Sequence, residues 1–355
     1  MNNVGECMKK YSFFILCLFL FLFSCDVTND NTNNEDNVIE DETFTRIIAC
    51  SDFQGEKGHY NSEENMSQIL LSIEEDGIDY ADGFFCCGDY DYEYVDSANG
   101  IGVLKNFMSY YVNEGNMVLA QGNHDEIPVG TDGLADSGDN DPDSDKYGVF
   151  VINEDDYMWY NNNENTIKNT ADKLEEYLTT KLNDNFDAPI FIVSHLALNY
   201  SMRTFNDGDG QYAKYIFDVI NEAGKNGLNI FYLFGHNHSN GWDDYLGGSS
   251  VYLTKGDNIL IAENSKTSFE SYELNFTYLN AGYIGYYRNV NAGADTELTM
   301  TVFNIYSDRV EISRYDSLGK HNLKSMGVSN SYKNETLYEP NLKVYASPQI
   351  VMLNS

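Results

Sequence analysis

Asn123, His124 and Asp125 follow Gly122 at the end of a short apolar run, Met117 to Ala120. An amide oxygen, an imidazole and a carboxylate at a strand exit are the raw material of a site at the carboxyl edge of an α/β sheet. Taken alone, the run is an ordinary strand exit. Four further apolar runs end in the same way. Arg46 to Cys50 leads into Asp52-Phe53-Gln54, and Gly83 to Cys87 into Gly88-Asp89-Tyr90-Asp91-Tyr92. Pro189 to Ser194 leads into His195, and Asn229 to Phe234 into Gly235-His236-Asn237-His238. Of six histidines, four sit at these exits; His59 and His321 do not. Carboxylates, imidazoles and an amide suit iron, manganese or zinc. Converged on one patch, Asp52, Asp89, Asn123, His195, His236 and His238 would hold metal ions.

Convergence requires the strands to be neighbours. Asn61 with Glu64 three residues on reads as a helix cap, and Met66, Ile69, Leu70 and Ile73 fall on one helical face. Helices are also expected near Ala98 to Glu114, Ala171 to Leu182, and from Tyr212 to a stop at Gly224 or Gly227. Strand-helix alternation through Gly241 implies a largely parallel sheet with helices on it. Strands are then expected at 258–262, 272–279, 283–287, 298–306 and 310–315. Their alternation, clearest in Thr299 to Tyr306, suits antiparallel strands with one covered face. They are expected to form a second sheet stacked on the first within one domain. Residues 321–355 form a C-terminal tail, with one possible edge strand at Leu342 to Tyr345.

A chain of 355 residues can bury a large core, and its net charge of −35 argues against nucleic acid or anionic membranes as partners. That charge also repels phosphate-bearing molecules unless bound cations reverse the local field. Residues 1–25 read as a targeting segment: Lys9-Lys10 precede an apolar run from Phe13 to Phe23. Leu22-Phe23-Ser24-Cys25 resembles the bacterial lipobox, which implies a lipid on Cys25 and a protein anchored in the cell envelope, facing periplasm or exterior. A secretory signal cleaved nearby is the first alternative, and a cytosolic protein with an apolar start the second. Residues 26–42, rich in Asn, Asp and Thr, read as a flexible acidic tether. Cys50, Cys86 and Cys87 read as buried free thiols, with a bridge from Cys50 available if the strands are neighbours.

Between 127 and 188 the alternation breaks, and the segment reads as an insert. Asp136, Asp139, Asp141, Asp143 and Asp145 suggest either a calcium loop or a solvated acidic insertion; their spacing matches no EF-hand, which favours the second. Trp159-Tyr160 reads as core or insert packing.

The five blocks together resemble the calcineurin-like metallophosphoesterases, whose pattern runs D-x-H, G-D, G-N-H-D/E, H and G-H-x-H. Here they stand as Asp52-Phe53-Gln54, Gly88-Asp89, Gly122-Asn123-His124-Asp125, His195 and Gly235-His236-Asn237-His238. The resemblance implies an α/β fold over residues 43–320: a four-layer α-β-β-α sandwich of two stacked mixed sheets with flanking helices. It implies a phosphomonoesterase or phosphodiesterase acting through hydroxide on a pair of iron, manganese or zinc ions. The substrate would be a small phosphate ester or a nucleotide. Asp89 would bridge the metals, Asn123, His195 and His236 would complete one site, and Asp52 and His238 would serve the other. His124 would assist the leaving group, oriented by Asp125.

The departure is Gln54, where the family has His. Tyr92 gives a G-D-x-x-Y block similar to purple acid phosphatases, so Tyr92, Gln54, His59 or water would complete the second site, or it would stay vacant. A surface binding protein on a degenerate scaffold is the alternative function. Arg203, and less so Arg288, are candidate phosphate contacts, surface arginine being the plainer reading of each.

Overall fold

The computed structural model describes residues 43–54, 62–90, 97–142, 145–157, 164–198, 212–236, 251–263, 269–285, 298–325 and 343–354. Residues 1–42, with Cys25 and the tether, lie outside them, as do Trp159 and Tyr160.

The first sheet contains β1 (Thr45–Cys50), β2 (Gly83–Cys86) and β3 (Met117–Leu119), parallel to one another. Late strands extend it: β12 (Met300–Ile305) lies antiparallel to β1, and β13 (Arg309–Asp316) antiparallel to β12. The second sheet has four parallel strands: β5 (Gly148–Ile152), β6 (Pro189–Ser194), β7 (Asn229–Phe234) and β11 (Thr277–Asn280). Short antiparallel strands, β4 (Gly138–Asp139) and β8 (Tyr252–Leu253), close its edges.

Three apolar layers separate four structural layers. On one side of the first sheet, Ile48, Cys50, Phe84 and Cys86 pack against α1 (Ser62–Glu75) and α2 (Ser97–Met108), through Met66, Ile69, Ile101 and Leu104. On its other side, Ile47, Ala49 and Phe85 meet Val149, Val151, Phe191, Val193 and Phe231 of the second sheet. Beyond the second sheet, Ile190, Ile192 and Ile230 pack on α4 (Glu164–Asn183) and α5 (Ala213–Lys225), through Leu174, Leu178, Ile216 and Ile220. Both faces of each central strand are covered, so β1, β6 and β7 read as continuous apolar runs rather than alternating ones. The α-β-β-α sandwich follows.

The strands are distributed differently from the expectation of one parallel sheet followed by one antiparallel sheet. The five site-bearing strands divide three and two between the sheets, and β12 and β13 join β1. The alternating pattern of β12 and β13 reports one face against the helices and one against the other sheet; it carries no information about which sheet they join. Segment 127–188 supplies the crossing between sheets, and within it β5 is a wholly buried strand beside β6. The stretch 283–285, expected as strand, is not one, and 286–297 lies outside the described residues. In the tail, β16 (Lys343–Tyr345) pairs with β15 (Leu323–Ser325), and β17 (Gln349–Met352) with β13.

Cys50 and Cys86 are register partners on β1 and β2, with sulfurs 3.9 Å apart. With Cys87 they are free buried thiols, and burial raises the pKa of Cys50 and Cys87 well above the ordinary range. In the acidic segment, Asp141 is tied into the fold: its carboxylate accepts from the Val149 amide at 2.7 Å, the Tyr177 hydroxyl at 2.6 Å, and Lys181. Those oxygens serve the α4 side of the sandwich. Asp143 lies outside the described residues.

Candidate metal centre

Parallel strands deliver their carboxyl ends to one edge, and stacking the sheets brings the two edges together. β1 ends in Asp52, β2 in Asp89, β3 in Asn123, β6 in His195 and β7 in His236. Asp89 Oδ2 lies 3.2 Å from His195 Nε2, and Asn123 Oδ1 lies 3.0 Å from the same nitrogen. His236 Nδ1 is 2.9 Å from Asn123 Oδ1 and 3.2 Å from His195 Nε2. Asp89, His195 and His236 are each buried, with ligand atoms within 4.8 Å of one another.

The chain bends sharply to aim these groups. Asp52, Asp89 and His236 have φ of 55°, 62° and 64°, in the left-handed region that non-glycine residues seldom enter. Such backbone costs about 1–3 kcal/mol per residue and persists where surrounding contacts enforce it. The Asp52 amide donates to the Gly88 carbonyl at 2.9 Å, and the Asp52 carbonyl accepts from Gly285 at 2.7 Å. The His236 amide donates to Asp52 Oδ2 at 3.0 Å, so one strand exit of each sheet holds the other. Two glycines permit the approach. A Cβ on Gly122 would lie 2.4 Å from the Asp89 nitrogen, and one on Gly235 would lie 1.7 Å from Ser51 Oγ.

Asp125 holds the loops. Its carboxylate accepts from the amides of Asp89 and Tyr90, both at 2.9 Å, and of Gly122 at 2.7 Å. These three bonds set the backbone on which Asp89 and Asn123 are mounted, a task beside the expected orienting of His124. Burial, then the Asp89 charge, pushes its pKa up to about 7, against the pull of the amide donors. His124 is exposed, and its own amide donates to Asp89 Oδ1 at 3.0 Å. Gln54 is half-buried, and its Nε2 donates to Asp89 Oδ2 at 2.7 Å. Tyr92, His238, His59, Arg203 and Arg288 lie outside the described residues.

The donor set fits a cation. His195 Nδ1 lies 2.6 Å from the Cys87 carbonyl, which can only accept, so Nδ1 carries a proton. In the neutral imidazole Nε2 then presents a lone pair toward Asp89 Oδ2, Asn123 Oδ1 and His236 Nδ1. Electron-rich atoms so placed repel one another unless a proton or a metal ion lies among them. Burial works against charge on His195, but the Asp89 carboxylate outweighs it and raises the pKa to about 10. Burial likewise pushes the Asp89 carboxyl up, yet His195 holds it well below the usual range. The mixed imidazole, amide and carboxylate set suits iron, manganese or zinc.

The Cys87 carbonyl and the strap at Ile284–Gly285 were not legible as site parts. Their contributions are main-chain atoms: Ile284 and Gly285 donate to the Ser51 and Asp52 carbonyls at 3.2 and 2.7 Å. The run Gly122-Asn123-His124-Asp125 was the one available signal for the role of Asp125, since a carboxylate three residues after a glycine can turn back on its amide.

No protein-family model and no curated protein matches the sequence. Among solved structures, the chain is similar to GAP50, the anchor in the inner membrane complex of Plasmodium, with 11% identity and a TM-score of 0.45, over 86% of this chain and 90% of that one. It is similar to a dimetal phosphatase from Danio rerio at 9% identity and TM-score 0.45, over 78% and 98%. A predicted phosphoesterase from Streptococcus pneumoniae aligns at 12% identity and TM-score 0.33, over 86% and 98%. The chain is an α-β-β-α sandwich of two stacked mixed sheets, with Asp89, Asn123, His195 and His236 gathered at their shared edge in a candidate metal site.

Proposed function

We propose that the protein is a metal-dependent phosphoesterase that hydrolyses a phosphomonoester or phosphodiester, either a small molecule or a nucleotide. The convergence of Asp89 Oδ2, Asn123 Oδ1, His195 Nε2 and His236 Nδ1 within 2.9–3.2 Å contacts carries this reading. A bound metal ion would supply a local positive field for the phosphate and lower the pKa of water. It would also offset the repulsion that a net charge of −35 exerts on an anionic ester.

The chain's own residues do the rest. His195 is fixed in one tautomer by Cys87, which keeps Nε2 turned to the site. Asp125 holds the Gly88–Tyr90 and Gly122–Asn123 turns in register through three amides. His124 stands exposed at the rim, mounted by its amide on Asp89, where its imidazole can hand a proton to a departing alkoxide. Buried strands on both faces keep the ligands rigid. Lipid attachment at Cys25 and action in the bacterial envelope complete the proposal, on the sequence pattern alone; among the described residues no helix is long and apolar enough to cross a membrane.

The test is turnover of nitrophenyl phosphate mono- and diesters by the full chain with manganese, iron or zinc. Metal-dependent activity that falls in both Asp89→Asn and His124→Ala is expected. Silence of the wild type with every metal would overturn the proposal in favour of a binding protein on the same scaffold.

A further inference from the structure

We propose that Gln54 takes the place of a second cation at Asp89, so that the chain holds one metal ion, among Asp89, Asn123, His195 and His236. The inference rests on the metal-dependent reading above, and it departs from the two-metal arrangement that the sequence blocks imply.

Both oxygens of the Asp89 carboxylate are engaged. Oδ1 accepts the His124 amide at 3.0 Å; Oδ2 faces His195 Nε2 at 3.2 Å and accepts Gln54 Nε2 at 2.7 Å. One flank of Oδ2 is therefore turned to the ligand cluster and the other to a neutral amide donor. A carboxylate that bridges two cations would need an electron-poor partner on each flank. Gln54 provides the second partner as an N–H.

The orientation of that amide follows from chemistry as well as distance. Exchanging Nε2 and Oε1 would set a carbonyl oxygen against the carboxylate at 2.7 Å, two acceptors that only a second cation between them would reconcile, so the metal count separates the two orientations. The backbone of Gln54 is anchored at its carbonyl, which accepts from Ser62 Oγ at the start of α1. Asp52, at the same exit, spends Oδ2 on the His236 amide at 3.0 Å. A cation approaching Oδ2 from the Gln54 side would meet amide hydrogens carrying partial positive charge. The neutral donor thus satisfies the carboxylate and resists a second ion.

Replacing Gln54 with glutamate reverses this at nearly constant shape. Two carboxylates would then face each other across a hydrogen-bond distance, an arrangement stable only with a cation or a proton between them. Gln54→Glu is expected to create the second site that Gln54 closes.

The experiment is a manganese titration of the full chain, following free Mn²⁺ by electron paramagnetic resonance, with bound metal counted after dialysis. The wild type is expected to take one ion per chain with the spectrum of an isolated Mn²⁺. Gln54→Glu is expected to take two, with the broadening of a spin-coupled pair. Two ions in the wild type would overturn the inference while leaving the phosphoesterase reading intact. One ion in the wild type and still one in a folded Gln54→Glu protein, judged by an unchanged circular dichroism spectrum, would also overturn it. Zinc and iron titrations counted in the same way guard against a manganese-specific result. A wild type that binds none of the three would sink the metal-dependent reading and the inference together.

Discussion

His195 Nε2 sits 3.2 Å from Asp89 Oδ2, while the opposite ring nitrogen is held 2.6 Å from the Cys87 carbonyl. One strand exit of each sheet therefore meets the other through a single imidazole. The raised His195 pKa of about 10 and the depressed Asp89 pKa mean that, without metal, the two residues share a proton at neutral pH.

Metal binding must expel that proton. Affinity is expected to rise about tenfold per pH unit between about pH 6 and 8, with close to one proton released per ion. Calorimetry in buffers of different ionisation enthalpy measures the release; a pH-independent affinity would contradict it. In metal-free protein the sign runs the other way for stability. The His195 contribution is complete below its unfolded pKa near 6.5 and fades as pH rises toward about 10. Tm of the apo protein is therefore expected to fall on that alkaline limb, and to fall less in the presence of metal.

His124→Ala is expected to lower kcat by about 10²–10⁴ while leaving metal content at the wild-type level. The side chain is exposed, and its main-chain bond to Asp89 survives the substitution. Loss of metal in this variant would place His124 among the ligands instead.

Asp125→Ala leaves the amides of Asp89, Tyr90 and Gly122 without their acceptor. Each buried unsatisfied group costs about 1–3 kcal/mol, so destabilisation of at least about 3 kcal/mol is expected in urea denaturation. Metal affinity should fall too, although Asp125 touches no ligand atom of the cluster except through backbone. A stability loss under about 1 kcal/mol would show that water replaces the carboxylate.

Gly122→Ala puts a methyl group 2.2 Å from Asp89 Oδ1 and 2.4 Å from the Asp89 nitrogen. Because the second contact is backbone, the β2 and β3 exits must separate. A loss of about 2–4 kcal/mol and weaker metal binding are expected, read from Tm and from metal titration.

The sequence by itself determined which residues would stand at strand exits. A strand buried on both faces is a continuous apolar run, and polar residues mark its end, after a glycine at Gly88, Gly122 and Gly235. That is why Asp52, Asp89, Asn123, His195 and His236 could be named, and why the five strands that carry them were found. It also marked Gln54 as the departure. Pairing between strands was not legible, because hydrogen bonds between main chains leave little trace in side-chain pattern. Only the tertiary structure divided the exits three and two between stacked sheets, and placed β12 beside β1 and β13 beside β12. β5 escaped notice because Gly148–Ile152 follows an acidic loop and has the length of many apolar runs. The role of Asp125 was likewise a matter of geometry: its partners are amides, which every residue but proline carries. The contact of the Gln54 amide with Asp89 was decided by the pairing of β1 with β2, whose exits carry the two residues.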